Sequence, residues 1–214
     1  GARVDFPHVA CEGIRAVESA DIDHAAALGF RIKLIGLAAA EGGALFQRVH
    51  PCLVSLKHPL AHVDGSLNAV VAEGNFVGRL LFQGRGAGEG PTASAVVADL
   101  IDVARGEVGP AFAMPAARLS KLPPADQLAH EGRFYLRLTV ADRPGVLAEI
   151  TAALRDAGVS IESLIQRGVA ANGGVYVVMV THSAVERQVR AALSALAGSD
   201  SLTGAPMMMH ILDF

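Results

Sequence analysis

Apolar positions in the first hundred residues fall in short runs rather than at sustained helical spacing. RIKLIGLAAA (31–40) and GALFQRVHPCLVSL (43–56) are β-rich runs separated by Glu41-Gly42-Gly43, a pattern that predicts a hairpin. LNAVVAEG and NFVGRLLFQG, divided at Gly74-Asn75, predict a second. Ahead of both, a run opening at Ser19 and continuing through Leu28 stops at Gly29, as a capped helix does. After QGRGAGEG (83–90), Pro91 sits where a first helical turn tolerates it, and TASAVVADLIDVARGE carries apolar residues at helical spacing. The segment is therefore expected to be sheet with few helices.

Residues 106–132 contain Pro110, Pro115, Pro123 and Pro124 and little periodicity, which predicts a linker or a wrapped arm between segments 1–105 and 133–214. Beyond it the pattern is regular. FYLRLTVAD alternates as a strand, and RPGVLAEITAALRDAGV reads as a helix with Pro144 near its start and Gly158 just past its end. SIESLIQRG and VYVVMVTH are strands, SAVERQVRAALSALAG a helix and PMMMHILDF a last strand. The order βαββαβ is the ferredoxin-like plan, with both helices on one face of a four-stranded antiparallel sheet. The expected class is α+β: a partial mixed-sheet domain followed by a ferredoxin-like unit. The unit's other face or edge needs cover, and pairing of two copies is the usual remedy.

Composition narrows the function classes. The 214 residues are 51% hydrophobic and 18% charged, enough to bury a sizeable core and too apolar for disorder. Eighteen Lys+Arg against 21 Asp+Glu, with no basic cluster interleaved with aromatics, argue against nucleic acid. Every apolar run is broken well short of about 18 residues, which argues against a membrane span. The N-terminus lacks a basic stretch followed by an apolar core, so a secretory signal is not expected; it begins without Met and in mid-pattern. Cys11 and Cys52 are too few for a disulfide framework, and a reducing cytoplasm fits best.

Two loops carry candidate chemistry. The glycines of Gly84-Arg85-Gly86-Ala87-Gly88-Glu89-Gly90 precede a helix, where backbone N–H groups and the helix dipole can approach a phosphate or carboxylate; the same loop also reads as a tight strand-to-helix connection. No acidic residue about 20 positions on ends a second strand, so a complete dinucleotide-binding unit is absent. In Asp142-Arg143-Pro144-Gly145-Val146, Gly145 would let amides face a ligand carboxylate while Asp142 receives an ammonium group; alternatively Asp142 caps the helix. His58 and His62 have the spacing of a helical ligand pair, but Pro59 between them and the lack of a nearby thiol or carboxylate argue against a metal. Cys11 beside Glu12 reads as a small hydrophobe rather than a nucleophile. Glu186, Arg187 and Arg190 read as a solvated helix face. Of the three lysines, Lys33, Lys57 and Lys121, none has an Asp four residues before it.

Three consecutive strings, EGIRAVESADIDHAAALGFRIKLIGLA, VHPCLVSLKHPLAHVDGSLNAV and GRGAGEGPTASAVVADL, resemble the catalytic region of homoserine dehydrogenases in order and spacing. Residues 133–214, with ADRPGVLAEIT, resemble an ACT domain, the amino-acid-sensing module at the C-terminus of many such enzymes. That family begins with a nucleotide-binding domain, followed by an Asp and a Lys four residues later that serve proton transfer and substrate binding. Neither is present here, so no catalytic residue and no metal ligand is expected, and the chain alone is expected to be inactive. The resemblance implies NAD(P)-dependent interconversion of aspartate semialdehyde and homoserine in the whole enzyme. It places Gly86, Ala87 and Gly88 against the cofactor, Glu89 and Thr92 beside them, and Glu12 and Asn68 in family motifs without a settled role. The hairpins of 31–83 would form a dimerising sheet, making the protein a homo-oligomer. The ACT resemblance implies an amino-acid effector, threonine being the family's usual inhibitor, at the interface of two copies near Asp142, Pro144, Gly145, Val146, Ser160 and Ile161. The competing expectation is a non-enzymatic amino-acid-binding regulator whose front half only oligomerises.

Overall fold

The computed structural model describes residues 1–107, 109–110, 114–170 and 173–212. Positions 108 and 111–113 of the expected linker, and 213–214 of the expected last strand, lie outside the described residues. In chain order the elements are β1 (Ala10–Cys11), α1 (Ser19–Ala27), β2 (Phe30–Glu41), β3 (Ala44–Ser55), β4 (Leu67–Gly74), β5 (Gly78–Arg85) and α2 (Glu89–Arg105). There follow β6 (Glu131–Gly132), β7 (Phe134–Val140), α3 (Val146–Asp156), β8 (Ile161–Val169), β9 (Val175–Thr181), β10 (Ala184–Val185), α4 (Glu186–Leu196) and β11 (Met207–Leu212). Among the described residues no helix is long and apolar enough to cross a membrane. The chain forms two compact units, Gly1–Arg3 with Lys57–Lys121, and Val4–Leu56 with Leu122–Phe214.

The larger unit is built on a seven-stranded mixed sheet. β2 and β3 form the first expected hairpin, paired from Phe30↔Ser55 to Glu41↔Ala44, and its turn needs positive φ at Gly42 (55°) and Gly43 (81°), which glycine adopts without a Cβ penalty. β11, β7, β9 and β8 make the antiparallel ferredoxin-like sheet in that order. The edge strand β11 is not left bare: it pairs in parallel with β3, His210 opposite Cys52 and Leu212 opposite Val54. Strands from both sequence segments thus share one sheet.

All seven residues of β7 are buried because both faces of the sheet are covered. Phe134, Leu136, Leu138 and Val140 pack with Val177 and Met179 beneath α3 (Ile150, Leu154) and α4 (Val189, Leu196). Tyr135, Val178, Met209 and Leu53 pack on the opposite face around Ala25 of α1, with Leu28, Phe30 and Ile32 beside them. That cover comes from the same chain, not from the second copy expected to supply it. The end of the expected linker is a wrapped arm on this unit, with Leu45 N–H donating to Pro123 O at 2.8 Å and Ala125 N–H to Leu45 O at 3.0 Å.

The smaller unit holds the second hairpin, β4 and β5, in register from Leu67↔Arg85 to Gly74↔Gly78. Its helix α2 ends at Gly106 with φ 74°, a left-handed cap. It starts at Glu89, two residues before the expected Pro91; no first-turn residue donates an intrahelical bond, so proline is tolerated throughout that turn. No residue of α2 is buried, and every residue of β5 is exposed.

Candidate functional site

In the smaller unit, the glycine loop leaves β5 and enters α2. Gly86 N–H donates to Ser66 O at 3.1 Å, and a Cβ on Gly86 would fall 1.8 Å from Asn68 Nδ2, so the Asn68 carboxamide fills the space a side chain would take. Gly88, at the N-cap of α2 with φ 126°, has a backbone that side-chain-bearing residues rarely adopt. Thr92 N–H closes the first turn on Gly88 O at 3.1 Å, and Pro91 has no N–H to offer. The amides of Glu89 and Gly90 therefore remain as the donors of an exposed helix N-terminus. Gly86, Ala87 and Gly88 form the stretch that leads into this N-terminus, with the Asn68 carboxamide against Gly86.

In the larger unit, Asp142, Pro144, Gly145 and Val146 line a cavity of about 380 Å³ together with Gln166 of β8 and Val177 of β9. Gly145, φ 94°, is the N-cap of α3, and Glu149 N–H donates to its carbonyl at 3.1 Å. Asp142 stands three residues ahead and does not cap the helix, leaving its carboxylate without a hydrogen-bond partner among the described residues. Arg143 turns away to Ser201 Oγ at 3.1 Å. Ser160 and Ile161 do not line this cavity: Ser160 O accepts from His182 N–H at 2.9 Å, and Ile161 packs against the core beneath the helices. His58 and His62 fall at a 3₁₀ turn (Pro59–His62) rather than on an α-helix, with His58 Nδ1 accepting from Leu60 N–H at 3.2 Å. Among the described residues no group of three His, Cys, Asp or Glu could hold a metal.

Two buried polar clusters escape sequence reading. Asp21 of α1, wholly buried, accepts from Tyr135 Oη at 2.9 Å, Arg137 Nε at 2.7 Å and Nη2 at 3.2 Å, and Glu18 N–H at 2.8 Å. Burial and the Asp21 carboxylate push the Tyr135 hydroxyl above its usual range. The second cluster corrects the reading of α4 as a solvated face. Glu186 is fully buried and accepts from Arg48 Nη1 at 2.8 Å and Arg190 Nε at 2.7 Å, with His210 Nε2 at 2.9 Å. Burial alone would raise its carboxyl, but the hydrogen bonds from His210, Arg48 and Arg190 hold it well below the carboxylate range. Arg187 does lie at the surface, paired with Asp126, and Arg190 reaches Glu12 at 3.2 Å.

Arg48, His50 and Cys52 occupy alternate positions of β3 and line a cavity of about 290 Å³ with Phe46, His130 and His210. Burial, reinforced by His210 and Arg48, lowers His50 to about 3, and burial pushes the Cys52 thiol up to about 12. A neutral imidazole beside an unreactive thiol makes this a structural node rather than a nucleophilic pair. The signal for it was the polar alternation R-V-H-P-C inside a buried strand; its partners on α4 and β11 gave none.

Comparison with known proteins divides the chain by sequence segment rather than by compact unit. Residues 1–101 match the family model for homoserine dehydrogenase, and residues 134–198 match that for the ACT domain. Homoserine dehydrogenases of Synechocystis (39% identical over 99% of this chain and 51% of the relative) and Neisseria gonorrhoeae (40% over 94% and 47%) align with it. The crystal structure of a homoserine dehydrogenase from Thiobacillus denitrificans superposes with a TM-score of 0.87 at 37% identity, covering all of this chain and 49% of that one. The fold is thus that of a mixed-sheet segment joined to an ACT domain. The chain belongs to the homoserine dehydrogenase family and spans about half the length of the curated relatives it matches.

Proposed function

We propose that this chain is the C-terminal half of a homoserine dehydrogenase, which interconverts L-aspartate 4-semialdehyde and L-homoserine in the biosynthesis of threonine, methionine and isoleucine. The observation that carries the reading is the succession of a homoserine dehydrogenase match over residues 1–101 and an ACT match over 134–198. In the whole enzyme NAD(P) supplies the hydride chemistry, and this chain contributes the Gly86-Ala87-Gly88 backbone, with Glu89 and Thr92 beside it. The proton-transfer groups belong to the other half. The ACT segment gives amino-acid feedback, with threonine as effector, its carboxylate at the Gly145 turn and its ammonium group on Asp142. The protein works as a cytoplasmic homo-oligomer.

The test pairs the chain with the full-length product of its gene. The chain alone is expected to show no homoserine-dependent reduction of NAD or NADP, and the full-length protein to show it. Threonine should inhibit the full-length enzyme, and Asp142→Ala should weaken that inhibition about tenfold, the effect of removing one charge-assisted hydrogen bond. Homoserine oxidation by the isolated chain, or its absence from the full-length protein, would refute the assignment.

A further inference from the structure

A larger cavity lies elsewhere in the same unit, on the sheet face that carries α1, and its chemistry does not depend on the loop at 142–146. It measures about 520 Å³ and is lined by Glu18, Arg137, Thr139 and Tyr176, with Ala170, Pro206 and Met207 as its apolar wall. Arg137 is the unusual member. Its side chain is 3% exposed, yet only part of its donor fork is used: Nε and Nη2 bind Asp21, and Nη2 also meets Glu18 Oε1 at 2.9 Å. Nη1 is hydrogen-bonded to no described protein atom, and it is not among the side-chain atoms sealed from solvent without a partner. A nearly buried guanidinium therefore offers one free nitrogen to the cavity it lines.

Charge decides what that nitrogen receives. Arg137 faces two carboxylates, Asp21 and Glu18, so the local sum is one negative charge, which disfavours a simple anion. Asp21 has four donors already. Glu18 is 52% exposed; its carboxylate meets Arg137 Nη2 and Tyr176 Oη (3.1 Å) and takes part in the capping box with the Asp21 N–H, and its exposed side leaves room for a further donor. A ligand with a carboxylate for Nη1 and an ammonium for Glu18 satisfies both sides.

We propose that this cavity is a second ligand site, for a small free α-amino acid, with its carboxylate on Arg137 Nη1, its ammonium group on Glu18 and its aliphatic side chain against Ala170, Pro206 and Met207. Glu18 is the N-cap of α1, in the segment matching homoserine dehydrogenase, and Arg137 lies on β7 of the ACT segment. Occupancy here clamps one segment to the other within the shared sheet.

Calorimetric titration of the chain with L-alanine, L-threonine and propionate tests the proposal. At least one amino acid should bind and propionate should not. Ala16→Trp and Ala205→Trp, two exposed positions on the cavity wall, should each weaken binding at least about tenfold. Glu18→Gln should weaken the amino acid about tenfold and allow propionate to bind. Asp142→Ala should leave this binding unchanged, and thermal melts establish that each variant is folded. Binding lost in Asp142→Ala but kept in both tryptophan variants would assign the ligand to the loop and overturn the second site. Equal binding of propionate and alanine, or no heat from any probe, would also overturn it.

Discussion

The two units contrast in what they bury. Residues 4–56 and 122–214 fold around apolar clusters on both faces of one sheet, so densely that even Asp21, Glu186 and Arg48 lie inside with their partners. Lys57–Lys121 carries comparable apolar residues, yet Val96, Val97, Leu100 and Ile101 of α2 and Phe82 of β5 all remain exposed. Secondary structure is present in both, but a helix gains most of its stability from packing an apolar face, and α2 has none packed. Within the smaller unit, these apolar residues of α2 and β5 find no cover among the described residues, and the chain spans about half the length of its curated relatives. Local sequence sets the elements; burial sets the stability.

Mutation should separate the two regions most sharply. Asp21→Ala would leave the buried Arg137 guanidinium with only the half-exposed Glu18 as counterion, and denaturant unfolding should show a loss of about 3 kcal/mol. Leu100→Ala on α2 should cost within about 0.5 kcal/mol, because the side chain gives up no buried contact. Equal losses at the two sites would erase the contrast.

Acid should act on the larger unit first. Burial holds the folded His50 down to about 3, whereas in the unfolded chain it returns to the ordinary histidine value of 6.5. Between those values the unfolded state holds more protons, so stability falls as pH drops from about 6.5 towards 3. Glu186, a depressed carboxyl, contributes stability that is present above the unfolded carboxylate range and is lost as pH falls below it. A melting temperature that stays flat from pH 7 to 4 would contradict the His50 assignment, and one that does not fall further below pH 4 would contradict that of Glu186.

Smaller effects probe single positions. Iodoacetamide at neutral pH should modify exposed Cys11 and spare buried Cys52, whose thiol is pushed up to about 12, and peptide mass mapping would read this directly. In the smaller unit, Gly86→Ala should displace the Asn68 carboxamide at a cost of about 1 kcal/mol or less, since that exposed side chain can swing aside.

Much of the fold was legible because its signals are local. Gly42-Gly43 marks a turn needing positive φ, Gly29 and Gly106 end helices, and the alternation of FYLRLTV marks a strand. The alternation showed that the second face needs cover but not what supplies it: α1 lies over Tyr135 and Arg137, and Asp21 neutralises the latter. Asp142, Pro144, Gly145 and Val146 could be grouped because they are sequential; Ser160 and Ile161 were placed with them by resemblance and do not line the same cavity within one chain. The Arg48 cluster was invisible because Glu186 and His210 are 138 and 162 residues distant in sequence and meet Arg48 only through the parallel pairing of β3 with β11.

Hydrogen exchange by mass spectrometry, run on this chain alone and on the full-length product of its gene, tests the central contrast most directly. Amides of β7 and β9 should be protected to the same degree in both, while those of α2 should exchange near the unfolded rate in the isolated chain and become protected in the full-length protein. Strong protection of α2 in the isolated chain, or none in the full-length protein, would contradict it.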